Sequence, residues 1–253
     1  MATNSTIRGE ERRTSILAAV NREGAAQIDA LARELGVSEM TVRRDLDDLE
    51  AEGLLRRVRG GALSIDGPRP FRERRTVRTR AKQAIAAKAA ALLPASGAIA
   101  MDASSTVAAL APDLNTHSNL MIATNSWESF SVLRTGQGLT PVLVGGELEA
   151  QTGSFVGKLA CEAAESMLYQ RFFTSASAVD ASHGSSEISL AESQVKRCFA
   201  RNSRQIILCV DSSKLDAIAA SLSFTLPEVH VMITELDPAD RRLDRYRDSV
   251  DIR

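Results

Sequence analysis

Apolar side chains in the first quarter of the chain recur with the spacing of two short helices. One set of positions lies three and four residues apart within 28–35, and a second set lies within 42–49. That spacing places apolar side chains on one face of a helix. Gly36 suits the end of the first helix because glycine readily adopts a left-handed backbone, and Ser38 suits the start of the second. We therefore predict two helices joined by a tight turn.

From about Thr79 onwards, short apolar runs alternate with stretches of helical pattern. The apolar runs are residues 98–101, 120–124, 142–144, 171–179, 206–210 and 229–234. The predicted helices are residues 79–93, 106–113, 126–134, 155–168 and 190–202. Apolar strands that alternate with helices are typical of a mostly parallel sheet covered on both faces. The predicted fold class is therefore α/β, with a larger parallel-sheet domain after a small amino-terminal domain.

The second predicted helix and the segment after it carry residues suited to bind DNA. A helix-turn-helix presents base-contacting side chains from the amino-terminal end of its second helix. An arginine-rich segment follows, and we expect it to form a β-ribbon that turns at Gly60 and Gly61. The candidate DNA-binding residues are Ser38, Glu39, Met40, Thr41, Arg43, Arg44, Arg56, Arg57 and Arg59. A helical hairpin whose arginines are merely solvated would share this periodicity. The turn between the helices, the two adjacent arginines and the arginine-rich ribbon together favour binding to double-stranded DNA.

Small, polar or charged residues follow five of the six apolar runs. Ligands of open parallel sheets bind outside the carboxyl ends of the strands. A hydroxyl-rich turn that opens a helix, as at residues 102–106, offers hydroxyls and backbone N–H groups to an anion such as phosphate. Each signal alone also fits an ordinary helix cap or turn. Their repetition predicts a site for a small polar ligand at this edge of the sheet.

The length of the chain indicates two domains, and its charge distribution indicates that one of them contacts phosphate groups. At 253 residues the chain exceeds what a DNA-binding module needs. The net charge is only −1, yet residues 54–80 contain nine arginines and two acidic residues. This local excess favours contact with the DNA backbone. A solvated linker over residues 69–80 would give the same composition.

The cysteines and the distribution of apolar residues bear on the compartment. The three cysteines, Cys161, Cys198 and Cys209, are odd in number and lack the CxxC spacing of zinc sites, which favours a reducing cytosol. No segment approaches the ~20 apolar residues of a membrane span, and residues 1–13 lack a signal-peptide core. We expect a cytoplasmic protein without a metal, a cofactor or a membrane partner.

The stretch LARELGVSEMTVRRDLDDLEAEGLLRRVRGGA closely resembles the amino-terminal domain of the DeoR family of bacterial transcriptional regulators. Within it, VSEMTVRRDL followed by RGGA is the specific part. The segments MDASSTVAALA, IATNS, LVGGELEAQTGSFVG, ESQVKR and DSSKL resemble motifs of the family's sensor half, so the resemblance covers nearly the whole chain. That sensor domain is similar to ribose-5-phosphate isomerase and binds phosphorylated sugars or related metabolites.

The resemblance implies roles for individual residues. By this resemblance, the residues that contact phosphate are Asp102, Ser104, Ser105 and Thr106. The residues that line the pocket are Thr124, Asn125, Gly145 and Gly146. The residues that contact the sugar hydroxyls, or couple the ligand to the fold, are Asp180, Glu192, Lys196, Asp211 and Lys214. Ser104 departs from the family, whose loop usually carries glycine there, and a side chain at this position narrows the approach of a ligand to the backbone. Glu192 and Lys196 are four positions apart on a predicted helix, so a surface ion pair is the alternative.

These observations predict a winged helix-turn-helix domain at residues 1–62, a flexible linker at 63–78 and an effector-sensing α/β domain at 79–253. The resemblance implies a repressor of sugar or carbohydrate metabolism genes, controlled by a phosphorylated metabolite and acting as a homodimer or higher oligomer. An activator would use the same residues. The alternative is a sugar-phosphate isomerase-like enzyme fused to a DNA-binding module, since carboxylates and a lysine at the sheet edge also suit acid–base chemistry. The resemblance favours a sensor without catalysis.

Overall fold

The computed structural model describes residues 3–51, 54–64, 70–115, 117–150 and 152–253. The amino-terminal unit contains α1 (Thr3–Glu23), β1 (Ala25–Gln27), α2 (Ile28–Leu35), α3 (Glu39–Ala51), β2 (Leu55–Val58) and β3 (Gly61–Ser64). Its strands form an antiparallel sheet in the order β1-β3-β2. Helices α2 and α3 and the β2–β3 ribbon are the elements that the sequence predicts, so the winged helix-turn-helix is confirmed.

The turn between α2 and α3 forms as its residues suggest. Gly36 adopts the left-handed conformation at φ 63° and ends α2. The Ser38 hydroxyl accepts the backbone N–H of Thr41 at 3.2 Å and also contacts the Thr41 hydroxyl at 2.9 Å. These contacts satisfy backbone groups that a helix end leaves unpaired, and they fix the angle at which α3 leaves the turn.

The long helix α1 is not among the predicted elements. It packs Ile16 and Val20 into the core that α2 and α3 share. The Arg12 guanidinium also forms an ion pair with the buried Asp45 of α3, with atoms 2.5 and 2.9 Å apart. The apolar stripe of α1 is short and interrupted by charged residues, so the helical periodicity of this segment is weak. Its contacts with α3 stabilise the helix.

The larger unit begins with α4 (Phe71–Thr76) and α5 (Thr79–Ala90). The remaining elements are β4 (Gly97–Met101), α6 (Ala111–Leu114), β5 (Leu120–Thr124), α7 (Trp127–Leu133), β6 (Leu139–Leu143), β7 (Glu147–Glu149), β8 (Ser154–Val156), α8 (Lys158–Glu165), β9 (Arg171–Thr174), β10 (Ala178–Asp180), β11 (Gly184–Glu187), α9 (Leu190–Arg201), β12 (Ile206–Cys209), β13 (Ser221–Phe224), β14 (Val231–Ile233) and β15 (Asp251–Ile252). Short 3-10 helices lie at Val107–Leu110, Ser212–Lys214, Leu226–Glu228 and Arg241–Leu243.

Seven strands form one parallel sheet in the order β15-β14-β12-β9-β4-β5-β6. A buried apolar cluster lies on each face, one containing Phe172 and Phe199 and the other containing Ile99 and Phe173. Neighbouring Phe172 and Phe173 point to opposite faces because side chains alternate along a strand. The predicted parallel sheet with both faces covered is confirmed. None of the described helices is long and apolar enough to cross a membrane.

The apolar run 171–179 is not one strand. Strand β9 ends at Thr174, and Ala178–Asp180 belongs to a separate antiparallel sheet of order β10-β11-β13. The small polar residues Ser175 and Ser177 interrupt the apolar run where the chain changes sheets. Asp180 therefore does not follow a strand of the central sheet. The predicted helix 155–168 is likewise shorter, because its first residues belong to β8.

Regular elements lie at both ends of the segment expected to be a flexible linker. Leu63 and Ser64 complete β3, and α4 occupies Phe71–Thr76, while residues 65–69 lie outside the described residues. Phe71 is buried, and the Arg74 guanidinium donates to the carbonyl of Thr152 at 3.4 Å. The second half of this segment is therefore folded against the larger unit.

Candidate functional site

The exposed surface of α3 carries most of the candidate DNA-binding residues. Met40 is 60% exposed, a large apolar side chain left in solvent next to the turn. Arg44 is exposed, and Arg43 is exposed with its guanidinium 3.1 Å from Glu39 one turn earlier. An ion pair at this spacing contributes only a few tenths of a kcal/mol, so Arg43 can exchange it for another anion at little cost.

The arginines of the β2–β3 ribbon differ in their surroundings. Arg57 donates to the backbone carbonyl of Arg43 at 3.0 Å and lies 3.2 Å from the Asp47 carboxylate. Its backbone N–H donates to Glu50 at 2.6 Å. Arg57 therefore joins the ribbon to α3, whereas Arg56 and Arg59 are exposed.

A cavity of about 90 Å³ lies where strands β4, β9 and β12 end. The register of the sheet brings these ends together, since Met101 pairs with Phe173 and Leu208 pairs with Thr174. Seven of the predicted effector-binding residues line the cavity: Ser104, Ser105, Thr106, Glu192, Lys196, Asp211 and Lys214. The parallel sheet thus gathers residues that are more than a hundred positions apart in sequence.

Asp102 lies fully buried beneath the cavity and orders its floor. Its carboxylate accepts the backbone N–H groups of Ser104 at 2.9 Å and Ser175 at 2.8 Å, and the Thr174 hydroxyl at 2.8 Å. Burial alone would raise the pKa of Asp102. The Lys196 ammonium, 3.1 Å away, and these hydrogen bonds outweigh burial and hold the pKa below its ordinary value. Asp102 is therefore an ionised anchor for the loop.

Lys196 joins three structural elements at the cavity wall. Its ammonium contacts Asp102 after β4, donates to the carbonyl of Ser175 after β9 at 2.8 Å and contacts Glu187 of β11. Burial would lower the pKa of Lys196, but Asp102 and Glu187 raise it above its ordinary value. The side chain is therefore a buried, permanently charged cation.

Glu192 is the cavity residue whose protonation changes near neutral pH. Burial is the main cause that raises its pKa to about 7; Arg74 opposes the rise and Glu187 adds to it. The carboxylate accepts the Ser154 hydroxyl at 3.0 Å. Both Glu192 and Lys196 are only 6% exposed, so the alternative of a surface ion pair is wrong. A carboxyl with this pKa can donate or accept a proton toward a polar ligand.

Three cations of the cavity lie outside the residues that the sequence singles out. Lys82 of α5 donates to the Ser105 hydroxyl at 3.0 Å and to the Arg74 carbonyl. Arg78 lies 2.8 Å from Asp211 and 2.9 Å from Glu235. Arg74, Arg78 and Lys82 all line the cavity. With Lys196 and Lys214 they make five cations beside the four carboxylates of Glu23, Glu187, Glu192 and Asp211, and these cations can hold an anionic ligand. The sequence did offer a signal for Lys82, because a lysine on the apolar face of a helix is unusual and points to a buried polar role.

Besides Asp102, which lies beneath the cavity, five predicted effector-binding residues do not line it. The Thr124 hydroxyl accepts the N–H of Ser126 at 3.0 Å, and the Asn125 amide donates to the carbonyl of Phe155 at 3.2 Å. Asp180 accepts from the imidazole and backbone of His183 at 2.8 and 3.0 Å. The remaining two are Gly145 and Gly146.

These two glycines have different surroundings. Gly145 has open space where a side chain would project. Gly146 has a φ of 134°, and a Cβ there would lie 2.5 Å from the carbonyl oxygen of Val156. Gly146 therefore allows a close approach between the end of β6 and the β7–β8 hairpin. Among the described residues, no cluster of His, Cys, Asp or Glu side chains could hold a metal ion.

Comparison with known families agrees with this arrangement. Residues 12–67 match the DeoR-like helix-turn-helix domain, and residues 77–236 match the DeoR C terminal sensor domain. The chain belongs to the DeoR family. The two matches of this DeoR-family protein coincide with the winged helix-turn-helix and with the unit that holds the cavity.

Two curated relatives extend over most of the DeoR-family chain. The glycerol-3-phosphate regulon repressor of Escherichia coli (strain K12) is 29% identical over 230 residues, which cover 90% of this chain and 91% of that protein. The lactose phosphotransferase system repressor of Lactococcus lactis subsp. lactis is 30% identical over 244 residues, which cover 94% and 95%. Among solved structures, ribose 5 phosphate isomerase A from Neisseria gonorrhoeae superposes with a TM-score of 0.38 at 18% identity, covering 54% of this chain and 53% of that one.

Proposed function

We propose that this DeoR-family protein is a sequence-specific transcriptional repressor whose affinity for its operator is set by a phosphorylated sugar or a related metabolite. The observation that carries the proposal is the presence in one chain of an exposed basic helix in a winged helix-turn-helix and a cavity with basic residues at the edge of a parallel sheet. In this proposal the winged unit, which ends with β3 at Ser64, binds the operator, and the larger unit, which begins with α4 at Phe71, senses the effector.

The amino-terminal end of α3 enters the major groove of duplex DNA. Thr41, Arg43 and Arg44 contact base edges and phosphates, because arginine forms bidentate contacts to guanine and to phosphate. Arg56 and Arg59 hold the phosphate backbone from the ribbon. Arg57 acts by fixing the ribbon to α3, as its contacts with Arg43 and Asp47 support.

The effector's phosphate lies against the loop formed by Ser104, Ser105 and Thr106, with Lys82 beside it. Hydroxyls and backbone N–H groups at the start of a helical segment suit an anion, and the contact between Lys82 and Ser105 supports this placement. Glu192, Lys196, Asp211 and Lys214 meet the rest of the effector or couple it to the fold. Asp102 contributes by ordering the loop from below.

The relatives support the class of regulated genes. Their names refer to a glycerol-3-phosphate regulon and to a lactose phosphotransferase system, and both are repressors. We extend this to genes of carbohydrate metabolism for the present chain. The same names favour a regulator over a sugar-phosphate isomerase. A homodimer would place two α3 helices on half-sites about one helical turn apart or a multiple of it.

The test uses DNA fragments selected by the purified protein from a random pool and resolved in a retardation gel. Arg44→Ala is expected to lose specific binding, at a cost of about 1 to 3 kcal/mol. Arg33→Ala, which removes an exposed arginine of α2 paired with Asp29, is the matched control and should bind as the wild type does. Specific binding retained by Arg44→Ala would refute the assignment of α3. Conversion of ribose 5-phosphate to ribulose 5-phosphate by the purified protein would refute the choice of regulator over enzyme.

A further inference from the structure

The three-stranded sheet of the winged unit is covered on both of its faces. On one face, Leu55 and Ala62 pack into the core formed with the helices of the same unit. Leu63, the next residue of the central strand β3, points to the other face because side chains alternate along a strand. It is only 2% exposed, and it is buried there against residues of the larger unit. The larger unit therefore completes the burial of the sheet that carries the β2–β3 ribbon.

Small apolar side chains form this contact, and we call it the interdomain patch. Leu63 is buried with Ala178 and Ala219, and the partly buried side chains around them are Ala25, Val58, Ile188 and Ala217. The turn of the ribbon continues the contact, since a Cβ built on Gly60 would lie 3.5 Å from the Asp216 carbonyl oxygen. The turn of the β2–β3 ribbon therefore rests against segment 215–219 of the larger unit.

Asp216 is held at this place by the carboxyl-terminal part of the chain. Its φ of 56° lies in the left-handed region, where aspartate and asparagine are better tolerated than most residues. Its backbone N–H donates to the hydroxyl of the buried Tyr246 at 2.8 Å. Its carboxylate lies 3.0 Å from that hydroxyl and accepts the Arg245 guanidinium at 3.0 Å. These contacts stabilise the backbone conformation that brings the Asp216 carbonyl to Gly60.

The contact fixes the turn of the ribbon without covering its arginine. Val58 belongs to the interdomain patch, and Gly60 meets Asp216, yet Arg59 between them is exposed. A side chain that starts from a fixed backbone loses less conformational freedom on binding than one carried by a mobile turn. The arrangement therefore favours a contact between Arg59 and an anion outside the protein.

We propose that Asp216 is a positioning residue for DNA binding, which holds the turn of the ribbon where Arg59 reaches a phosphate of the operator. The inference rests on the proposed function, because it requires the ribbon to contact the DNA backbone. The larger unit thus contributes to operator affinity through a residue that does not touch DNA.

The first experiment measures the affinity of variants for a DNA fragment selected by the protein from a random pool. Asp216→Ala is expected to weaken binding about two- to tenfold, the cost of ordering one long side chain. By charge alone, loss of an acidic residue would strengthen binding to DNA, so the two effects have opposite signs. Asp216→Asn keeps an acceptor and tolerates the left-handed backbone, and it should bind at least as tightly as the wild type. So should Asp248→Ala, the control at an exposed position.

Two outcomes of this experiment would overturn the proposal. One is an affinity of Asp216→Ala equal to or higher than that of the wild type. The other is a loss in Asp216→Asn as large as that in Asp216→Ala, because the conservative variant keeps the contacts that place the turn.

A double-mutant cycle tests whether Asp216 acts through the ribbon. In the wild type, Arg59→Ala should weaken binding and reduce the slope of log affinity against log salt by about 1, as for one lost phosphate contact. In the Asp216→Ala background the same substitution should bring little further loss, because residues that act together are not additive. An undiminished loss in the double variant would overturn the proposal.

A second variant disturbs the same contact from the interdomain patch. Ala217→Gln places a larger polar side chain there, and Ala220→Gln, at an exposed position nearby, is the control. Ala217→Gln should speed hydrogen exchange at residues 58–61 without changing it in α3, and should weaken operator binding as Asp216→Ala does. Faster exchange without weaker binding would overturn this inference and leave the proposed function standing. Specific binding retained by Arg44→Ala would instead overturn the proposed function.

Discussion

The Lys196 ammonium and the Asp102 carboxylate lie 3.1 Å apart, and both side chains are buried. The pair joins α9 to the end of β4, and Glu187 shares the same ammonium. Buried charges are tolerated only when they are paired and hydrogen-bonded. This pair therefore holds together the floor and the wall of the cavity.

Replacing Lys196 with methionine leaves Asp102 and Glu187 as buried carboxylates without their cation. Breaking a buried ion pair from one side costs about 3 to 5 kcal/mol, so we expect Lys196→Met to lower the free energy of unfolding by that amount. Urea denaturation checks it. The control is Lys158→Met, whose exposed ammonium lies 3.5 Å from Glu162 and should contribute under about 0.5 kcal/mol. If Lys196→Met lost no more free energy of unfolding than the control, the contacts of Lys196 with Asp102 and Glu187 would not be required for stability.

The ion pair between Arg12 and Asp45 is expected to hold α1 against α3. Asp45 is buried, with atoms 2.5 and 2.9 Å from the guanidinium. Arg12→Ala should lower the free energy of unfolding by about 1.5 to 3 kcal/mol, the range for hydrogen bonds to charged groups. Arg13→Ala loses a more exposed contact with Asp48 at 3.2 Å and should cost under about 1 kcal/mol. Equal losses in denaturant melts would contradict this role of α1.

Glu192 should make stability depend on pH. Its pKa is about 7 in the folded protein, whereas the ordinary pKa of a glutamate is 4.5, so the folded state binds the proton more tightly than the unfolded state. The stabilisation is complete below pH 4.5 and is lost as the pH rises from there through 7. As the pH rises from 5 to 8, the free energy of unfolding of Glu192→Gln should therefore increase by about 1 to 3 kcal/mol relative to that of the wild type.

Unfolding free energies of both proteins at the two pH values provide the measurement for Glu192. Glu162→Gln, at an exposed position of α8, should track the wild type at both. A constant difference between Glu192→Gln and the wild type would argue against the raised pKa.

Lys82 is expected to contribute directly to anion affinity. It is only 7% exposed and donates to Ser105 at 3.0 Å. Lys82→Met should weaken phosphate binding about tenfold, which corresponds to ~1.4 kcal/mol. Arg80→Met removes a cation from an exposed position of the same helix and should not change the affinity. Isothermal titration compares the two; equal affinities would place the anion elsewhere.

The local signals along the chain predicted the local structure well. Gly36 and Ser38 mark the α2–α3 turn because each satisfies backbone groups with its own conformation or side chain. The alternation of apolar runs with helices likewise predicted the parallel sheet, since a strand buried on both faces needs apolar residues throughout. In both cases the information lies in neighbouring residues.

What the sequence did not predict depends on contacts between distant segments. Arg74 and Arg78 lie in an arginine-rich stretch whose composition is the same whether it is solvated, bound to DNA or folded over a cavity. Asp180 was misplaced because an apolar run continues through a change of sheet at Ser175. The α1 helix is defined by its packing and by one ion pair with Asp45. None of these features has a periodic signature.

Arg57 bonds the ribbon to the backbone of Arg43 and to Asp47. The β2–β3 hairpin and α3 therefore move together as one rigid unit. In the operator complex proposed above, half-sites set closer together or farther apart would require entire amino-terminal units to shift, because the hairpin cannot bend independently of α3.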